Sequence, residues 1–290
     1  MHEPKGRYVR ISGPRQFVID LVHFAQKVPS VPVARPMDVT ALAGPRLAHP
    51  SRPSWAVLFM KAQGLVAAAH PPLRRALLSF PWTRIYEHPF SICALALERE
   101  HEGESGIFVG MFRGPEGQSL GELQAGLEMY KTAPLDQIGF FRKSLKVSRA
   151  PTFLRRFLWW STLNGSGLKR AKRFGTFGLS TYGSLGSESI HPISPLTTTL
   201  TYGPIDPNGR VVVKLVYDHR VLDGADVARR MIDLEAALHG PILDELNRGE
   251  PYTGPPPVTI TATGMVRGRS AGVGRGPSRR AGGRQGSIVS

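Results

Sequence analysis

One cysteine, Cys93, stands among 290 residues. A lone thiol excludes any intramolecular disulfide framework and suits a reducing compartment. Long apolar runs are also missing. The longest, Trp55 to Ala69, is broken by Lys61 and Gln63 and falls short of the roughly 20 residues needed to span a bilayer, so no transmembrane segment is expected. The opening Met1-His2-Glu3-Pro4-Lys5 holds no apolar signal core, and a cytoplasmic protein is the expectation. There is no P-loop and no dinucleotide fingerprint, and the histidines show no ligand spacing, so no metal is expected. Acid is scarce too, with 22 acidic against 37 basic side chains for a net charge of +15. That balance favours polyanionic partners, whether nucleic acid, an acidic membrane face or a ligand carrying several phosphates. Residues 251–290 hold six arginines and no acid, which leaves +9 of the +15 to the rest.

What is present organises into one large domain over residues 1–250 and a Gly/Pro/Arg-rich tail over 251–290. The tail lacks apolar periodicity, is expected to be disordered, and is suited to weak contact with polyanions. Tyr8–Ile11 reads as a short strand. Pro14 opens a helix with Phe17, Leu21, Phe24 and Val28 on one face. Val28–Pro36, with three prolines, is expected to be extended, and Pro53 precedes a second helix. Ser91–Leu97 and Gly106–Phe112 read as buried strands joined at Gly103. Ser119 and Glu122 form a capping box. Pro134 and Pro151 begin two more helical patterns, and Phe174–Ser180 reads as a strand. Asp206-Pro207-Asn208-Gly209 predicts a hairpin between Leu196–Tyr202 and Arg210–Tyr217. A final helix carries Val227, Met231, Leu234 and Leu238 on one face. Mixed helices and strands without βαβ alternation predict an α/β two-layer sandwich on a mixed sheet.

At the end of the hairpin the sequence reads Asp218-His219-Arg220-Val221-Leu222-Asp223-Gly224, directly before the last helix. This resembles the Asp-His-Arg-x-x-Asp-Gly signature of the dihydrolipoamide acyltransferases of 2-oxo-acid dehydrogenase complexes, whose catalytic domain has the chloramphenicol-acetyltransferase-like fold. Gly175-Thr176-Phe177-Gly178-Leu179-Ser180-Thr181-Tyr182-Gly183 is similar to that family's Gly-Thr-Phe-Thr-Ile-Ser-Asn-x-Gly strand, with Gly178 and Thr181 replacing Thr and Asn. Asp38-Val39-Thr40 and Phe59-x-Lys61-Ala62 add fainter likeness, and the resemblance covers roughly residues 8–245. The sequence departs from the family in Arg74–His88 and contains no Asp-Lys-Ala lipoylation motif, so no covalent lipoyl group is expected on this chain.

The resemblance implies a base at His219, an oxyanion donor at Ser180 and coenzyme A as the acyl carrier. It further implies a homotrimer or a multiple of one, with the base and the serine coming from different chains. A lipoyl-carrier protein or 2-oxo-acid dehydrogenase subunits are the implied partners. Asp223 is a third candidate catalytic residue, as an acid beside His219, and is open to two structural readings as well: an N-cap on the last helix with Asp226 in support, or an ion pair with Arg15, which the resemblance suggests. Thioester exchange suits these residues. An ordinary thiol, of pKa about 8.5, lies close enough to an imidazole, about 6.5, for one placed histidine to take its proton. Cys93 lies in an apolar strand and is not expected to be a nucleophile. Phe153–Arg173 interleaves aromatics with cations, and is read as a solvated helix with one apolar stripe or as a contact for a membrane face or coenzyme A phosphates. Two other classes of function remain: a non-catalytic core subunit that kept the fold, and nucleic-acid binding through the tail.

Overall fold

The structure is a computed structural model that describes residues 6–254. The segment expected as a first strand, Tyr8–Ile11, is irregular: Tyr8 and Val9 are exposed and pair with no strand among the described residues. Pro14 sits in the first turn of α1 (Gly13–Ala25), where its missing N–H costs nothing. The proline-rich stretch is extended as expected and forms β1 (Ser30–Asp38), which lies at the edge of the sheet. α2 (Thr40–Ala48) and α3 (Trp55–Ala69) follow. A small hairpin of β2 (Arg75–Leu78) and β3 (Arg84–Glu87) occupies the stretch that departs from the acyltransferase pattern.

β4 (Ile92–His101) and β5 (Glu104–Arg113) make a long hairpin, turned at Glu102 and Gly103, both at positive φ. α4 (Leu120–Thr132) carries the complete Ser119–Glu122 capping box. Pro134 begins only an irregular turn, and the helix there, α5 (Gly139–Ser148), starts five residues later. α6 (Thr152–Gly165) and α7 (Gly167–Phe174) lead into the three-residue β6 (Phe177–Leu179). The predicted hairpin is β7 (Thr198–Tyr202) with β8 (Arg210–Asp218), and α8 (Gly224–Ala237) and α9 (Leu243–Arg248) close the described chain. Of the tail expected to be disordered, residues 255–290 lie outside the described residues.

The six-stranded sheet runs β1-β8-β7-β6-β4-β5, with β6 parallel to both neighbours and the other pairs antiparallel. It is the mixed α/β sheet expected. One face carries the main core, where Leu95, Phe177, Leu179, Leu200 and Leu215 meet Phe59 of α3, Leu123 of α4 and Val227, Met231 and Leu234 of α8. The other face is covered less completely, by α1 and α5–α7. Trp159 of α6 stacks on Phe24 of α1 with ring centroids 5.7 Å apart. Beside that stack, buried Arg155 of α6 donates to buried Asp20 of α1 at 2.8 Å.

Candidate active site

Two strand ends carry the residues singled out in the sequence. The first is β6. Gly175 has φ +86°, and a Cβ there would stand 2.9 Å from the Ile92 carbonyl oxygen, so glycine is required. The Thr176 N–H donates to the Ile92 oxygen at 2.8 Å, and the Thr176 hydroxyl accepts from the Ile92 N–H at 2.8 Å. The Gly-Thr pair therefore pins β6 beside β4, and Ser180 emerges just beyond the pinned strand, its N–H donating to Leu200 O at 3.1 Å. Gly178 also has a local reason. A Cβ there would come within 2.9 Å of Thr199 Oγ1, so the threonine-sized volume has passed to the neighbouring strand. Thr181 keeps a turn-forming role through its hydroxyl, which accepts from the Gly183 N–H at 3.3 Å.

Ser180 is half-buried and lines a cavity of about 340 Å³ on the less covered face of the sheet. Thr199, whose buried hydroxyl has no hydrogen-bond partner among the described residues, lines the same cavity. His191 lines it as well, and its Nε2 lies 2.8 Å from Ser30 Oγ. Neither His191 nor Thr199 stood out in the sequence, because a histidine in a loop and a threonine in a strand carry no local signal. A second cavity of about 1000 Å³ adjoins the first, the two sharing Phe17, Phe140, Arg173 and Phe174 as lining.

The second strand end is that of β8. Asp218 is buried, and its carboxylate takes three hydrogen bonds from Arg220: the backbone N–H at 3.0 Å, Nε at 2.9 Å and Nη2 at 2.8 Å. The Asp218 carbonyl accepts from the N–H groups of Val221 and Leu222. This clasp fixes a tight turn from which His219 projects, with its N–H donating to Pro29 O at 3.1 Å and its ring against that of Tyr217 at 5.5 Å. The side chain of His219 is 51% exposed, and the residue lines neither cavity. Within one chain the structure does not bring His219 and Ser180 into a common pocket.

Asp223 requires correction. It occupies the N-cap position of α8, but its side chain makes no capping hydrogen bond, and Asp226 faces Arg229 and Arg230 instead. Nor is it paired with Arg15, which is exposed on α1; among the described residues its ionic neighbour is His219 Nδ1, at 3.9 Å. The Asp223 side chain is 89% exposed. Cys93 is fully buried, and burial pushes its thiol well above the ordinary range, which suits an inert core residue. Phe153–Arg173 is more than a solvated helix face. It bends into α6 and α7, and it buries Arg155, Trp159 and Arg170. Burial lowers Arg170 to about 10, and its guanidinium donates to the carbonyls of Leu77, Leu163 and Pro195.

Several solved structures share this arrangement of strands and helices. The cubic core of a pyruvate dehydrogenase multienzyme complex superposes with a TM-score of 0.59 at 20% identity, covering 83% of this chain and 94% of that one. A probable dihydrolipoamide acetyltransferase from Listeria monocytogenes gives a TM-score of 0.58 at 17% identity, over 81% and 94%. The chain has the fold of a dihydrolipoamide acyltransferase catalytic core. A third structure with that fold, the dihydrolipoamide acetyltransferase of Azotobacter vinelandii, matches with a TM-score of 0.59 at 19% identity over 83% and 94%, and was studied for the catalytic role of a serine, a histidine and an asparagine. No family model matches the sequence, and no curated protein is significantly similar to it. No helix among the described residues is long and apolar enough to cross a membrane.

Proposed function

We propose that this chain is an acyltransferase that moves an acyl group between coenzyme A and a thiol acceptor of the dihydrolipoamide type, supplied in trans. The observation that carries the reading is the Asp218–Arg220 clasp, in which a buried carboxylate holds a partly exposed guanidinium and presents one histidine from the turn between β8 and α8. The serine, histidine and asparagine named for the Azotobacter vinelandii enzyme parallel Ser180, His219 and Asp223, and its histidine and asparagine are separated by the same interval as His219 and Asp223.

In this reading the His219 imidazole takes the proton of the acceptor thiol, and the resulting thiolate attacks the thioester carbonyl. The Ser180 hydroxyl donates to the tetrahedral oxyanion. The intermediate then collapses with loss of the coenzyme A thiolate, which recovers the proton from the imidazolium. No covalent acyl-enzyme forms. The half-exposed position of His219, and its separation from the Ser180 cavity, support a site completed between chains, as in a homotrimer.

A second reading, a non-catalytic core subunit, is favoured by the same separation within one chain. An assay of acyl-coenzyme A donors from acetyl to long-chain with dihydrolipoamide, followed by acylated product, separates the two. Wild-type turnover should fall by orders of magnitude in His219→Ala, while circular dichroism stays unchanged. Turnover that survives His219→Ala would sink the proposed base, and a wild-type protein with no transfer to any thiol would favour the scaffold.

A further inference from the structure

The larger cavity, about 1000 Å³, sits between α5, α6, α7 and the β3–β4 segment. Its volume lies at the upper end of the usual range for small-molecule pockets, about 300–1,000 Å³. The interior is apolar and aromatic, with Phe90, Ile92, Met111, Leu158, Trp159 and Phe174 among its walls. Five cations of α5 and α7, Lys143, Lys146, Lys169, Lys172 and Arg173, also line it and are exposed, as is Arg113 of β5, which lies over the Phe90 ring; among the described residues no Asp or Glu lines it. Among the described residues none of these five cations has a carboxylate partner. Five like charges gathered around an apolar chamber repel one another unless an anion joins them.

A ligand suited to this chamber has a long apolar part and several negative charges. Its reactive end would stand near Ser180, because Phe17, Phe140, Arg173 and Phe174 line both cavities. The chain's own tail is a poor occupant, since residues 251–290 carry six arginines and no acid and would add to the repulsion. We infer that the large cavity takes the acyl chain of a long-chain acyl-coenzyme A, with its phosphates held by the lysine and arginine rim. This rests on the acyltransferase reading and deepens it: the donor is an acyl thioester with a long apolar chain rather than an acetyl group.

Calorimetric titration tests the site without turnover, so it can be read even in His219→Ala protein and even if no transfer is ever detected. Coenzyme A, acetyl-coenzyme A, palmitate and palmitoyl-coenzyme A, the last kept below its micelle concentration, are the four probes. Palmitoyl-coenzyme A should bind at least about 100-fold more tightly than acetyl-coenzyme A, which burial of only a few methylenes provides. Gly165 lines the chamber, and a Cβ built there meets nothing within 4 Å, so Gly165→Leu is accommodated and should obstruct part of it. That variant should cut the preference for the long chain to less than about tenfold while leaving acetyl-coenzyme A binding unchanged. Should Gly165→Leu not fold, Ser161→Leu serves instead, since Ser161 also lines the chamber and its hydroxyl donates only to Leu158 O in its own helix. Lys143→Gln/Lys172→Gln should weaken every coenzyme A probe and spare palmitate. Equal affinity for acetyl- and palmitoyl-coenzyme A, or a full chain-length preference in a folded cavity-obstructed variant, would overturn the assignment. Palmitate binding as tightly as palmitoyl-coenzyme A would overturn the role of the rim.

Discussion

Asp218 and Arg220 grip each other across His219, the one residue between them, with the carboxylate buried and the guanidinium 40% exposed. The asymmetry in burial makes the two partners unequal. Arg220→Ala leaves a carboxylate inside the protein with one backbone N–H and the charge of Arg170 to offset it, whereas Asp218→Asn leaves a guanidinium free to reach water. Arg220→Ala should therefore cost more stability, up to the roughly 3–5 kcal/mol of a broken buried pair, reduced by the guanidinium's access to solvent. Urea denaturation of both variants checks the order. Asp218→Asn, if folded, should lower kcat far more than it raises KM, because the turn holding the base loosens while the substrate contacts persist.

Subunit mixing examines where the two groups meet. Inactive Ser180→Ala and inactive His219→Ala proteins, exchanged under conditions that permit it, should regain partial turnover as mixed oligomers. Mixed oligomers shown by an affinity tag to form, yet without activity, would place both groups in one chain or remove Ser180 from the mechanism.

The Asp20–Arg155 pair ties α1 to α6, and both residues are buried. Arg155→Met alone should destabilise by about 3–5 kcal/mol, since it leaves Asp20 charged and dry. Asp20→Leu/Arg155→Met should recover much of that loss, because a matched apolar pair needs no solvation. Thermal melts of the single and double variants give the comparison. A double variant as unstable as the single would show that the pair is not what joins these helices.

Gly178→Thr restores the residue expected from the acyltransferase pattern and should nonetheless destabilise the protein. The new Cβ would meet Thr199 Oγ1 at 2.9 Å and Thr199 Cγ2 at 3.1 Å, an overpacking cost of about 1–3 kcal/mol. Adding Thr199→Ala should relieve it. Equal stability of Gly178→Thr and wild type would mean that β6 and β7 yield more than their packing suggests.

His88 gives a pH dependence. Burial, with Arg170 and Arg74 nearby, lowers its pKa to about 4, against an unfolded value near 6.5. The unfolded chain therefore takes up this proton first as the pH falls. Stability should be full above about pH 6.5, decline by at most about 1.4 kcal/mol per pH unit down to about pH 4, and change no further from this group below that. His88→Gln should flatten that part of the profile relative to wild type. Parallel profiles for the two proteins would show that His88 titrates normally.

Local chemistry made much of this fold legible. The β7–β8 hairpin followed from Asp206-Pro207-Asn208-Gly209, the α4 start from Ser119 and Glu122, and the α8 face from Val227, Met231, Leu234 and Leu238. Tyr8–Ile11 misled because β-propensity without a strand to pair with produces no strand. The β2–β3 hairpin and α2 went unseen; α2 even carries Pro45 inside it, and tertiary packing overrides such a local signal. In the candidate site, the motif located His219 and Ser180 but not their supports. The Asp218–Arg220 clasp needs a turn to bring residues two apart together, and the capping role open to Asp223 failed because its side chain faces water.

The two prolines of β1, Pro32 and Pro36, bear on how copies of this protein can meet. They sit two alternations apart on the outermost strand, on the side turned away from β8, which is where a strand tolerates a residue without an N–H. A neighbouring molecule trying to lengthen the sheet along that border would find two of its acceptors unanswered. Growth into open-ended ribbons through this margin is thereby discouraged, and contacts between copies are steered toward the faces, the loops and the opposite border of the sheet.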